Sequence, residues 1–171
     1  MPEGQESASY LQARSAALRF LAHRPRSEAE VRRRLRDRYP TPLPEQVIAI
    51  LKDQRLLDDA AFASQWRASR EQHRPRAAAM LRQELRGLGV DPEAVSQALQ
   101  GVDDPANCYR AGQRVAQRWA GQEWQEFRQH MMAHLMRRGF GRALALETAT
   151  RLWAELSSNP LDSDKDANGQ E

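Results

Sequence analysis

Two histidines, one cysteine and two adjacent aspartates are the side chains of this 171-residue chain whose types and spacing invite a chemical reading. His130 and His134 stand four residues apart, which puts both on one face of a helix, the way zinc is often held. A zinc protease would need Glu at position 131, where the chain has Met131, and no third ligand is evident. A surface or boundary histidine pair is the simpler account. Cys108, the only cysteine, follows a helix start and could be a reactive thiol. No histidine is placed to activate it, so it reads as a small buried hydrophobe. Asp58 and Asp59 could pair as carboxylates, but capping the helix that follows explains them more simply. There is no P-loop, no Gly-rich dinucleotide turn and no Gly-x-Ser-x-Gly elbow. No catalytic residue, metal site or cofactor site is therefore assigned, and the chain does not read as an enzyme.

Arginine carries more information. Residues 10–156 hold 25 of the 26 Lys+Arg and 17 of the 23 Asp+Glu, a net charge of +8 that the acidic ends reduce to +3. Such a body suits an anionic partner. Because only Lys52 and Lys165 are lysines, a compositional preference for arginine is an equally good account. The run Arg32-Arg33-Arg34-Leu35-Arg36 should lie on a helix with Val31 and Leu35 inward. Glu28 can pair with Arg32 and Glu30 with Arg34 at i, i+4. Arg33 and Arg36 are then the least compensated.

The elements that position these residues repeat. His23-Arg24-Pro25-Arg26 recurs fifty residues on as His73-Arg74-Pro75-Arg76. Val31/Leu35 become Leu81/Leu85 and then Met131/Leu135, and Gly89-Val90 becomes Gly139-Phe140. Arg32 and Arg36 map onto Arg82 and Arg86, while the third repeat has Met132 and Met136 there. Two readings of this stripe stay open: a solvated charged face, or a basic surface over two repeats that Arg70, Arg74, Arg76, Arg137 and Arg138 extend at the corners.

Each repeat reads as three helices. In the first, Leu11, Leu18 and Leu21 mark a helix that the Pro25 region breaks. Ser27 with Glu30 makes a capping box for the second, and Pro44 opens a third with Val47, Ile48, Ile50 and Leu51. Phe62/Trp66, then a helix ending at Gly89, then Asp91-Pro92 mark the second repeat. Asp104-Pro105, a helix ending at Gly139, and 141–156 with Leu144, Leu152 and Trp153 mark the third. The fold class is all-α: three tandem three-helix repeats, expected to form an elongated, curved array that stacks apolar faces. The boundaries are 10–57, 58–102 and 103–156, with 1–9 and the acidic tail 157–171 expected to be disordered. The lone cysteine fits a reducing compartment, no signal peptide is visible and no stretch reaches 18 apolar residues. The expected setting is the cytoplasm, with no membrane contact.

These segments resemble the RecX family of bacterial recombination regulators. The resemblance rests on Ala17-Leu18-Arg19-Phe20-Leu21-Ala22-His23-Arg24 and Arg26-Ser27-Glu28-Ala29-Glu30-Val31-Arg32-Arg33-Arg34-Leu35. It continues through Leu56-Leu57-Asp58-Asp59-Ala60-Ala61-Phe62-Ala63, Ser69-Arg70, Glu84-Leu85, Gly89-Val90 and Arg137-Arg138-Gly139-Phe140, covering roughly residues 14–155. Arg74-Pro75-Arg76 departs from it, standing where the family often has a glycine. The resemblance implies three tandem three-helix repeats and a partner, the RecA filament on single-stranded DNA. It implies weaker strand exchange, ATP hydrolysis and co-protease activity of that filament, by a protein that is a monomer by default. Arg33, Arg36, Arg82 and Arg86 are the first candidates for electrostatic contact. A direct single-stranded nucleic-acid binder, with weaker contacts to single- or double-stranded DNA, and a generic helical-repeat adaptor are the alternatives.

Overall fold

The computed structural model describes the backbone of residues 3–158 and the side chains of residues 8–158. Among the described residues there is no strand. The helices are α1 (Glu3–His23), α2 (Glu28–Arg36), α3 (Leu43–Asp53), α4 (Asp59–His73), α5 (Ala78–Gly87), α6 (Pro92–Ala98), α7 (Asp104–Ala116), α8 (Trp124–Met136) and α9 (Arg142–Ser157), with one 3-10 turn at Gln117–Trp119. The fold is an all-α repeat. Most of these helices are too short to persist alone, so their buried faces must hold them. Val31 and Leu35 on α2, Leu81 and Leu85 on α5, and Met131 and Leu135 on α8 are each 0% exposed. One pair of inward residues thus recurs at a fifty-residue period. Truncating any of the four leucines to alanine would leave a cavity costing about 2–5 kcal/mol.

The ends differ from expectation. α1 begins at Glu3, inside the segment expected to be disordered. No proline interrupts the chain between Glu3 and His23. At the other end Ser157 still belongs to α9, and the rest of the expected tail, 159–171, lies outside the described residues. α1 also turns a different face inward. Ala13 and Ala17 are fully buried, whereas Leu11 is 56% exposed and Leu18 and Leu21 are half-buried. Alanines let α1 approach α2 and α3 closely, and leucine at those positions would hold the helices apart. Ile50 of α3 likewise faces outward.

The described chain packs as two compact units. One takes residues up to Ser69 together with Leu81–Gly101, and the other takes Arg70–Met80 together with residues from Val102 on. In the first, Ala13, Ala17, Val31, Leu35, Val47, Ile48, Leu51 and Leu57 form a core. In the second, Phe127, Met131, Leu135, Phe140 and Leu152 pack with Cys108, Val115 and Ala77.

Within each unit the same joint is built. A corner preceding a second helix (α2, then α5) docks on the loop between the second and third helices of the next repeat. Gly89 and Gly139 close those loops as Schellman ends. Val90 N donates to Leu85 O and Gly89 N to Arg86 O; Phe140 N donates to Leu135 O and Gly139 N to Met136 O. Both glycines have positive φ, +75° and +86°. A Cβ on Gly89 would stand 2.4 Å from Ala29 Cβ, and one on Gly139 would stand 2.9 Å from Met80 Cβ. Conformation and close approach therefore both demand glycine.

The joint is fastened by the first helix of the next repeat as well. Glu28 N donates to Asp59 Oδ1 at 2.8 Å, and Ala78 N donates to Asp104 Oδ1 at 2.8 Å. Of the two adjacent aspartates, Asp58 caps α4, accepting from Ala61 N, while Asp59 reaches back to α2.

Candidate partner-binding surface

The histidine pair separates into two environments. His130 is exposed and stacks on Trp119 at 5.5 Å between ring centroids. His134 is buried, with Nε2 3.2 Å from Ala111 O and Nδ1 3.3 Å from Arg138 Nη1. That geometry suits a neutral ring whose Nε2–H donates to the carbonyl and whose Nδ1 accepts from the guanidinium. Burial first, then Arg138, Arg137 and Arg118, push its pKa down to about 4 against the pull of the Ala111 carbonyl. The expected surface or boundary pair is thus split: His130 is at the surface, and His134, one turn further along α8, is buried. Cys108 is fully buried, and burial pushes its thiol up from the ordinary value despite the hydroxyl of Thr148 at 3.3 Å. Among the described residues no three His, Cys, Asp or Glu side chains gather as metal ligands would, and no helix is long and apolar enough to cross a membrane.

The arginine stripe behaves differently in its two halves. On α2, Arg32 Nη2 pairs with Glu28, as the i, i+4 spacing predicts, and Arg32 Nε with Glu45 at 3.1 Å. Arg36 Nη2 reaches Glu45 Oε1 at 2.6 Å. Those arginines hold the Glu45 carboxyl below the usual carboxylate value, Arg36 contributing most. Arg36 is therefore well compensated, contrary to the sequence reading, because α3 brings in an acid nine residues away. Arg33 stays exposed. The expected Glu30–Arg34 pair also fails to form. Glu30 turns instead to Arg24 at 2.6 Å and Arg26 at 3.2 Å, and Arg34 lies over the Phe20 ring, 5.8 Å from its centroid.

On α5, Arg82 is half-buried and Arg86 exposed. The fifty-residue counterparts of Glu28 and Glu45 are Ala78 and Val95. The acids that neutralise the first half of the stripe have no equivalents in the second. This signal was present in the sequence, in the repeat register, one step beyond comparing arginines alone.

The corner residues also divide. At the first joint Glu30 is a buried carboxylate that completes the capping box with Ser27 while binding Arg24 and Arg26. Burial alone would raise its pKa; Arg24, the Ser27 N–H and Arg26 outweigh this and hold it low. At the second joint position 80 is methionine and position 77 alanine. The Ala77 N–H, lacking a glutamate to bind, donates to Arg138 O at 3.0 Å. That bond draws the loop with Arg137 and Arg138 onto the corner with Arg74 and Arg76. Burial first, then Arg76, Arg137 and Arg74, lower the pKa of the Arg138 guanidinium. The structure thus brings together four of the expected residues. Arg70 sits half-buried in the last turn of α4, engaged with its neighbours. Sequence reading did not set Arg118 and Trp119, of the turn after α7, or His134 of α8 beside these arginines.

Comparison with known proteins gives consistent results. Residues 13–51 match a family model described as RecX, first three-helix domain, and residues 58–99 match RecX, second three-helix domain. A curated relative, "Regulatory protein RecX" of Mycobacterium avium (strain 104), is 34% identical over 151 residues, covering 85% of this chain and 87% of that protein. A second, of Mycobacterium bovis (strain BCG / Pasteur 1173P2), carries the same name and is 34% identical over 144 residues, covering 80% and 83%. Among solved structures, the crystal structure of RecX from Lactobacillus salivarius superposes with a TM-score of 0.71 at 17% identity, covering 85% of this chain and 97% of that one.

Proposed function

This chain belongs to the RecX family, and on that premise we propose that it binds the RecA recombinase filament on single-stranded DNA. Binding lowers the filament's strand exchange, ATP hydrolysis and co-protease activities. The observation that carries the site assignment is the uncompensated half of the stripe. Arg82 and Arg86 stand on α5, where the acids of the first repeat are replaced by Ala78 and Val95. Arg33 joins them as an exposed cation. Arg32 and Arg36 contribute less, because Glu28 and Glu45 already satisfy them. Charges of this kind steer approach and set register more than they supply affinity. The test is DNA-stimulated ATP hydrolysis by the cognate recombinase with this protein titrated in. Hydrolysis should fall before stoichiometric amounts are reached, and a flat response overturns the reading. Arg82→Glu with Arg86→Glu should weaken inhibition more than Arg32→Glu with Arg36→Glu, and the reverse order would move the contact to α2.

A further inference from the structure

We propose that the cleft between the end of α1 and the start of α4 docks a protein segment of the recombinase filament, one that carries a large apolar side chain beside carboxylates. This rests on the function proposed above and adds a contact of a different kind, apolar where Arg82 and Arg86 offer only charge. Left-handed backbone is taken by glycine at 89, 101, 121 and 139 and, among the described residues, by one other residue, Arg55 at φ +55°. Arg55 closes α3 by the same bonds that Gly89 and Gly139 use: Arg55 N donates to Lys52 O at 2.9 Å and Leu56 N to Leu51 O at 2.8 Å. Glycine would close the helix there without strain, whereas an arginine carries a Cβ that this conformation disfavours. The strain is not returned as burial. Arg55 is exposed, and Leu56 beside it is 48% exposed. A strained residue whose side chain stays outside the packing points to a role outside the chain.

Arg55 and Leu56 stand on the wall of a cleft of about 660 Å³. Leu18 and Leu21, left half-buried when Ala13 and Ala17 seat α1, line it together with Phe62 of α4. Arg24, Arg26 and Arg55 border it with one acid, Asp58. Arg24 and Arg26 share the single carboxylate of Glu30, and Asp58 accepts from Ala61 N at the head of α4. Three arginines against two carboxylates leave the rim positive. An apolar wall under such a rim complements a leucine-like side chain flanked by carboxylates, the apolar part supplying affinity and the charge setting register. A strand of nucleic acid suits the cleft less, because the phenyl ring in its wall, Phe62, is 5% exposed and offers no face on which a base can stack.

The experiment titrates variants of the full chain into the recombinase hydrolysing ATP on single-stranded DNA. Leu56→Ser should raise the half-inhibiting concentration about tenfold. Arg55→Gly should raise it about threefold while the urea midpoint stays level or rises, because the strain leaves with the charge. Arg55→Glu, which keeps the strain and repels carboxylates, should weaken inhibition more than Arg55→Gly does. Leu11→Ser removes a leucine of α1 that is 56% exposed and lies outside the cleft, and should change nothing. Inhibition that survives intact in both Leu56→Ser and Arg55→Glu overturns this inference and leaves the proposed function standing, whereas no inhibition by the unmodified protein overturns both. A loss in Arg55→Gly as large as in Arg55→Glu overturns the acidic character of the partner. If Leu56→Ser instead loses binding of the chain alone to a labelled oligothymidylate, the cleft belongs to nucleic acid; if it turns a dimer into a monomer in sedimentation, the cleft belongs to a second copy. Either result overturns the proposal.

Discussion

At the corner before α2, Ser27 and Glu30 cap each other, Glu30 binds Arg24 and Arg26, and Ser27 Oγ donates to Leu88 O of the docking loop. At the corner before α5, Ala77 and Met80 can do none of this, so the backbone N–H of Ala77 takes the equivalent loop carbonyl, Arg138 O. The same helices and the same glycine loop are joined twice, once by an internally neutralised polar network and once by backbone and packing among cations. The stripe shows the same contrast, with Arg32 and Arg36 held by Glu28 and Glu45, whose register positions in the repeat of Arg82 and Arg86 are taken by Ala78 and Val95. The first repeat pairs its arginines with acids of its own, whereas the second has Ala78, Met80 and Val95 at the positions of those acids. A repeat can thus conserve its backbone joint while changing the side chains that fasten it.

The comparison can be broken first at what the joints share. Gly89→Ala adds a strained φ of +75° and a 2.4 Å contact to Ala29, and should destabilise the protein by about 3 kcal/mol in urea unfolding. Gly139→Ala, with its nearest contact at 2.9 Å on Met80, should cost somewhat less, about 2 kcal/mol. If either is neutral, the close docking described for that joint is wrong. Next comes what they do not share. Glu30→Met makes the first joint resemble the second and strands the Ser27 N–H and two arginines. It should cost about 2 kcal/mol, a figure reduced because Arg24 is 43% exposed. No loss would mean the carboxylate is incidental.

His134 sharpens the contrast through pH. Its counterpart at position 84 is glutamate, bonded to Trp66 Nε1 at 2.8 Å. In the fold His134 stays neutral down to about pH 4, while in the unfolded chain it takes a proton near 6.5. The unfolded state therefore binds the extra proton in that window. Stability is intact above pH 6.5 and falls as pH drops towards 4, by up to about 3 kcal/mol from this residue. Urea midpoints at pH 7, 6 and 5 should converge in His134→Gln; an unchanged pH slope would place the ring in contact with water. The smallest effect is expected at Arg36→Ala. Its pair with Glu45 is exposed on both sides, so the change should stay below about 1 kcal/mol, comparable to Arg82→Ala.

By itself the sequence determined the helical class, the fifty-residue period and which residues of each repeat's second helix point inward. Val31/Leu35, Leu81/Leu85 and Met131/Leu135 needed only the 3.6-residue turn and the avoidance of water, both properties of local chain geometry. Glycine at 89 and 139 was legible as a helix end for the same reason. Helical phase alone did not reveal that alanines, not leucines, seat α1, since that choice depends on how closely α2 and α3 approach. Nor did it reveal that Arg36 meets Glu45, that Glu30 prefers Arg24 to Arg34, or that Arg74 and Arg76 share a joint with Arg137 and Arg138. Those pairings join residues distant in the chain. A charge is neutralised or left available by whatever tertiary packing sets beside it, because electrostatic interaction follows distance in space and not position in sequence.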